Sequence, residues 1–168
     1  RAFITNFESD MVSIIDLTDG KSMAPIKTGR KPHGVAISPN GDEIFVTNEG
    51  DGTLSFIDSK KNKVTQTIKV GNRPHQLAVS RDGSKLYVPL NGEHALVIVD
   101  VKGRNIVSKI TVGRNPHIAI VNPISQRIYV TSEGDGKITI VDAEKEKVIG
   151  EILVWASPRV PAISRSEE

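Results

Sequence analysis

The stretch PHGVAISPNGDEIFVTNEGDGTLSFIDSKKNKVTQTIKVG, residues 32–71, decides the fold of this 168-residue chain. It contains four short runs rich in β-branched and aromatic residues, and turn residues such as Pro39, Asn40 and Gly41 separate them. No segment of the sequence keeps a helical apolar period over a useful length. The stretch therefore predicts four antiparallel strands joined by tight turns.

The same pattern recurs along the chain without any insertion. The dipeptide Pro-His stands at 32–33, 74–75 and 116–117, always 42 residues apart, and Pro158-Arg159 continues the series. The aromatic position of the second run repeats at the same interval, as Phe3, Phe45, Tyr87 and Tyr129. Four short strands per 42-residue unit predict an all-β chain built as a β-propeller of four blades.

The chain is predicted to be one domain, residues 1–168. The repeats divide this domain into approximate units. These units are 1–29, 30–71, 72–113 and 114–155, and residues 156–168 offer a strand that could close a ring. Three arrangements fit the sequence: a closed four-blade ring, half of a dimeric eight-blade ring, and a fragment of a larger propeller. An aspartate ends each third run, where its carboxylate is expected to cap the following turn; these are Asp16, Asp58, Asp100 and Asp142.

Several motifs carry a resemblance to a known family. Phe45-Val46-Thr47-Asn48 and Tyr129-Val130-Thr131-Ser132, together with the turn Ser38-Pro39-Asn40-Gly41, resemble the YVTN-type β-propeller repeat family, although Val88-Pro89-Leu90 departs from the pattern. The resemblance implies a propeller fold and a periplasmic, secreted or cell-surface location. It implies no single chemistry, because the family is functionally mixed and has haem-binding propellers among its relatives.

Composition narrows the range of functions. The 22 Lys and Arg residues against 20 Asp and Glu residues leave a net charge of +2, too small an excess to favour a nucleic-acid partner. The absence of cysteine excludes disulfides, thiolate metal ligands and a cysteine nucleophile. No stretch has the length and hydropathy of a membrane span, and no standard catalytic motif is present. An enzyme is therefore not favoured, although this question stays open.

The repeated Pro-His dipeptides supply the candidate site. Symmetry between blades would bring His33, His75 and His117 together near the mouth of the central channel, where three imidazoles suit a transition metal or an iron-containing cofactor. The alternative is packing, because His33 shares its strand parity with Val35 and would continue a row of side chains between blades. Basic residues that precede or replace the histidines are candidate anion ligands: Arg30, Lys31, Arg73, Arg114 and Arg159.

The sequence favours a non-catalytic binding or scaffold propeller without a cofactor, whose channel mouth and rim receive a protein or a small anionic ligand. One alternative is a metal- or haem-binding redox protein that uses the three histidines. Another is a hydrolase acting on an anionic small molecule. A homodimer is expected if the ring needs eight blades.

Overall fold

The computed structural model describes residues 1–164, which form fifteen β-strands in four antiparallel sheets. The first sheet has three strands in the order β1 (Ala2–Asn6), β2 (Met11–Ile15) and β3 (Ser22–Lys27). The second has β4 (Pro32–Ile37), β5 (Glu43–Asn48), β6 (Thr53–Asp58) and β7 (Lys63–Lys69). The third has β8 (Ala78–Val79), β9 (Lys85–Leu90), β10 (Ala95–Asp100) and β11 (Asn105–Thr111). The fourth has β12 (Pro116–Val121), β13 (Ile128–Ser132), β14 (Lys137–Asp142) and β15 (Lys147–Leu153).

Each sheet is one propeller blade, and the predicted fold is confirmed. The strands of each blade follow one another in chain order, and the first blade starts at its second strand, as the sequence indicates. The aspartates at the ends of the third strands cap turns as predicted; the Asp58 carboxylate accepts hydrogen bonds from the Lys60 and Lys61 amides at 2.9 and 2.8 Å. Among residues 1–164, no helix is long and apolar enough to cross a membrane.

The hydrophobic core lies between the blades. Of the three core clusters in the described chain, one joins the first two blades, the next joins the second and third, and the last joins the third and fourth. Phe45 and Phe56 of the second blade meet edge to face at 5.6 Å, and both are fully buried against residues of the third blade. Burying such side chains against a neighbour contributes about 1.5–3 kcal/mol each, so every blade depends on the next for its stability.

The two middle blades are covered on both faces, whereas the two outer blades are not. In β10 every residue from Ala95 to Val99 is buried, but in β14 buried and partly exposed residues are mixed. Within residues 1–164 no strand of the fourth blade pairs with β1, and residues 156–164 form no strand. Large apolar side chains at this end are open to solvent, with Trp155 94% exposed and Leu153 83% exposed.

Hydrogen bonds from one blade fix the chain segment that begins the next repeat. Thr5, Thr47 and Thr131 occupy the same position in their blades, and their hydroxyls donate to the carbonyl oxygens of His33, His75 and Arg159 at 2.9, 2.9 and 3.0 Å.

The third blade has Pro89 at the threonine position and makes this connection differently. Backbone hydrogen bonds join Gln76 to the fourth blade, from its amide to the His117 carbonyl at 3.2 Å and from the Ala119 amide to its carbonyl at 3.1 Å. Thus the carbonyl at each of the four equivalent positions 33, 75, 117 and 159 accepts a hydrogen bond from the preceding blade.

Replacing Thr47 by Val should destabilise the protein. Thr47 is fully buried, and its hydroxyl also accepts a hydrogen bond from the Gly34 amide at 2.8 Å, so the change leaves buried backbone groups unpaired. We expect the free energy of unfolding to fall by about 1–3 kcal/mol in urea denaturation. Thr65→Val is the matched control, because Thr65 is exposed and bonds only within its own blade. Equal midpoints for the two variants would contradict this account.

Candidate metal site at the channel mouth

His33 and His117 stand at irregular points of their strands, β4 and β12, whereas His75 precedes β8. The register shifts by one residue between Pro32 and Val35, and again between Pro116 and Ala119. Such a bulge interrupts the alternation of side chains and changes the direction of the residue within it. The parity of His33 with Val35 in the sequence therefore does not place the imidazole in the row between blades.

The three imidazoles converge. Ring centroids of His33 and His75 are 4.3 Å apart, those of His75 and His117 are 5.0 Å apart, and those of His33 and His117 are 5.6 Å apart. Each ring offers a nitrogen that lies within 4.8 Å of the nitrogens offered by the other two. Among the residues that the structure describes, these three form a group with the spacing to hold one metal ion.

The backbone of His75 and Gln76 packs closely against Gly34 because glycine has no side chain. A Cβ atom at this position would lie 2.8 Å from the His75 carbonyl oxygen and 2.8 Å from the Gln76 Cα. Both atoms belong to the backbone and cannot move aside at low cost. Gly34 thus lets the innermost strands of the second and third blades come together, which brings His33 and His75 into contact.

Four of the six ring nitrogens in the cluster are buried without hydrogen-bond partners. His75 is only 5% exposed, and neither of its ring nitrogens has a hydrogen-bond partner; Nδ1 of His33 and Nδ1 of His117 are also unpaired. A buried polar group left without a partner costs about 1–3 kcal/mol. The cluster therefore brings together ring nitrogens whose hydrogen-bonding or ligand-binding positions are not used within the protein.

Burial keeps these imidazoles neutral. It lowers the pKa of His33 and of His117, and burial together with the charge of His33 lowers the pKa of His75 to about 4. Neutral imidazole is the form that binds metal ions, since its lone pair is free. At neutral pH the three rings are consequently ready to act as ligands.

Two carboxylates flank the histidines. Glu49 Oε2 lies 3.4 Å from His75 Nε2, and Glu133 Oε1 lies 3.9 Å from His117 Nε2, in each case too far or too poorly aligned for a hydrogen bond. The carboxylates follow equivalent strands, β5 and β13, of the second and fourth blades. If the rings turn, these carboxylates are placed to accept a hydrogen bond from a protonated Nε2, which is the usual arrangement around metal-bound histidines.

Of the five basic residues predicted at the mouth, two line the cavity around the histidines and three do not. Arg73 and Arg159 line the cavity that contains the histidines, a space of about 620 Å³ that also includes Glu49 and Glu133. Arg73 Nε lies 2.9 Å from Glu49 Oε1, and Arg159 Nε lies 3.2 Å from Glu133 Oε1.

Arg30 and Arg114 do not line this cavity, because they are held by aspartates of the neighbouring hairpins. Arg30 Nε donates to Asp51 Oδ1 at 2.6 Å, and Arg114 Nε donates to Asp135 Oδ1 at 2.5 Å. Hydrogen bonds from these arginines lower the pKa of both aspartates. Lys31 stands near the ring of Phe7, with its Nζ 5.2 Å from the ring centroid.

Four further residues that were not predicted from the sequence also line this cavity: Thr5, Phe7, Asn91 and Asn115. Phe7 and Asn91 occupy the repeat position of Glu49 and Glu133, so alignment at 42 residues could have indicated them. The fourth histidine, His94, lies outside the cluster, and its Nδ1 accepts a hydrogen bond from the Asn115 amide at 3.2 Å.

The lowered histidine pKa values predict a pH-dependent stability of the metal-free protein. Unfolded histidines take up protons near pH 6.5, whereas the folded cluster resists them until lower pH. The free energy of unfolding should therefore decrease as the pH falls from 6.5 to 5, and His75→Gln should reduce this slope. Urea titrations in the presence of a chelator, repeated between pH 6.5 and 5, measure this slope.

His94→Asn serves as the control for this experiment, because asparagine tolerates the positive φ of 52° at that position. The variant leaves His33, His75 and His117 in place and should therefore keep the slope that they cause. A slope that His75→Gln leaves unchanged would show that the cluster does not resist protonation.

Comparisons with known proteins agree with this fold. The family model described as YNCE-like beta-propeller matches residues 1–80, just under half of the chain. No curated protein matches the sequence. Among solved structures, hydrazine synthase of Kuenenia stuttgartiensis has a TM-score of 0.86 at 21% identity, covering 90% of this chain and 45% of that chain.

Another similar structure is the dihydro-heme d1 dehydrogenase NirN in complex with DHE. It has a TM-score of 0.74 at 19% identity, covering 90% of this chain and 34% of that chain. The present chain thus spans less than half the length of either relative. At these identities the likeness concerns the fold alone, and together with the family match it confirms the predicted propeller repeat.

Proposed function

We propose that this protein is a binding propeller that holds a divalent transition-metal ion at its channel mouth through His33, His75 and His117. The observation that carries the proposal is the convergence of three neutral imidazoles, with ligand nitrogens within 4.8 Å of one another. Zn²⁺, Ni²⁺ and Cu²⁺ all accept imidazole ligands. Because the chain has no thiol, softer thiolate sites are excluded.

The ion requires a small rearrangement of the rings. Metal–nitrogen distances of about 2.0–2.1 Å at tetrahedral angles place ligand nitrogens roughly 3.3 Å apart. His33 and His75 are stacked at an interplanar angle of 13°, so one ion cannot lie in both ring planes until one ring turns. Rotation about the last torsion of histidine has a broad energy minimum, so the torsion itself permits such a turn.

Stoichiometric binding by the intact protein tests the proposal. We expect one equivalent of Zn²⁺ per chain by elemental analysis after dialysis, and micromolar or tighter affinity by calorimetry. His75→Ala should abolish this binding, whereas the control His94→Asn should retain it, because His94 lies outside the cluster. Zinc content that His75→Ala leaves unchanged would refute the site, and a haem absorption band would identify the haem alternative.

Glu49 should orient His75 in the metal-bound state. Glu49→Gln keeps the shape of the side chain but removes the charge that would stabilise a proton on Nε2. We expect a 10- to 100-fold loss of zinc affinity, as is typical when such a partner is removed. Glu8→Gln is the control, because Glu8 is an exposed carboxylate outside the cavity. An equal affinity for both variants would exclude this role of Glu49.

A further inference from the structure

The charges around the histidines leave the proposed metal ion without full compensation. The cavity contains two guanidinium groups, Arg73 and Arg159, and two carboxylates, Glu49 and Glu133. These four charges cancel, so the charged side chains of the cavity contribute no net charge. A divalent ion would therefore bring a charge of +2 into a partly buried site.

The coordination sphere of that ion would also be incomplete. Three histidines leave at least one position open, as in metal sites that bind an exchangeable ligand. The cavity of about 620 Å³ is much larger than the share of about 30 Å³ that one water molecule occupies. A ligand of several non-hydrogen atoms can thus stand beside the ion.

The two arginines belong to the wall of this same space. Both guanidinium groups are anchored through Nε to a carboxylate, at 2.9 Å for Arg73 and 3.2 Å for Arg159. An arginine has five N–H donors in a fork that matches the geometry of a carboxylate or phosphate group. Contact through Nε leaves donors of the terminal nitrogens for a further partner.

The cavity also offers neutral donors and an apolar surface. Asn91 and Asn115 carry side-chain amides on its wall, and Phe7 contributes an aromatic ring. Amide groups can donate hydrogen bonds to an oxyanion without adding charge. The lining as a whole thus combines cationic, neutral polar and apolar groups around the histidines.

From this arrangement we infer that the protein captures a small oxyanion, a carboxylate or a phosphate group, between the histidine-bound metal ion and the guanidinium groups of Arg73 and Arg159. The inference rests on the proposed function, since the ion supplies one side of the ligand site. One oxygen of the anion occupies the open position of the metal, and the remaining oxygens accept hydrogen bonds from the arginines. The anion also offsets the positive charge that the ion introduces.

Cobalt in place of zinc makes the open coordination position visible. The full chain is loaded with one equivalent of Co²⁺, and acetate or methylphosphonate is titrated in a non-coordinating buffer while the visible absorption of the ion is recorded. We expect saturable spectral changes with at least one of the two anions. A response to acetate alone supports a carboxylate ligand, and a response to methylphosphonate alone supports a phosphate group.

A pair of double variants separates the arginine contacts from a general effect of charge. R73Q/R159Q should raise the dissociation constant of the anion at least tenfold, and R30Q/R114Q should change it by less than about threefold. The second variant is the control: it also removes two positive charges, but from arginines that Asp51 and Asp135 hold outside the cavity.

The outcomes distinguish this inference from the proposed function. Stoichiometric cobalt binding without any spectral response to either anion would overturn the inference and leave the metal site intact, as would equal losses in the two double variants. Absence of cobalt binding would overturn the metal site and the anion site together.

Discussion

The hydrogen bond that each blade gives to the chain segment beginning the next repeat is the interaction on which this architecture and its candidate site depend. It reaches the backbone carbonyl at positions 33, 75, 117 and 159, which are the positions of the three histidines and of Arg159. The donor is a threonine hydroxyl in three cases and the Gln76 amide in the fourth. Because the bond fixes the backbone of the very residue whose side chain faces the channel, packing between blades and convergence of the imidazoles have the same cause.

The repeat made the fold predictable from the sequence, but the direction of the histidines was not predictable. Strand content, blade number and the aspartate-capped turns follow from local composition repeated at 42 residues, so they need no knowledge of distant contacts. The side chain of His33 depends on a bulge between Pro32 and Val35 that the sequence marks only through Gly34, and Ile118 takes that place in the equivalent bulge of the fourth blade. A strict alternation of faces would have assigned His33 to the row of Val35, and the register shift removes that inference.

The basic residues show a second limit of sequence reasoning. Arg30 and Arg73 both precede a Pro-His dipeptide closely, yet only Arg73 lines the cavity. Arg30 and Arg114 lie one residue further from the proline, where an aspartate of the adjacent hairpin can bond both the backbone amide and the guanidinium group. A displacement of one residue thus decides whether the guanidinium group pairs with an aspartate outside the cavity or with a glutamate on its wall, and only the three-dimensional position of the carboxylates reveals it.

Burial of the three histidines has an energetic cost, although repetition of the 42-residue unit is enough to explain why three of them are present. Burying three imidazoles with unpaired nitrogens destabilises the apo fold, and nothing in the packing of the blades requires it, since Arg159 occupies the same position with its side chain exposed. A ligand that satisfies all three nitrogens would stabilise the folded state in proportion to its affinity, because the unfolded chain cannot assemble the site. In the proposed metal-bound state, the fold would supply neutral ligands in advance and the ion would compensate the cost of their burial.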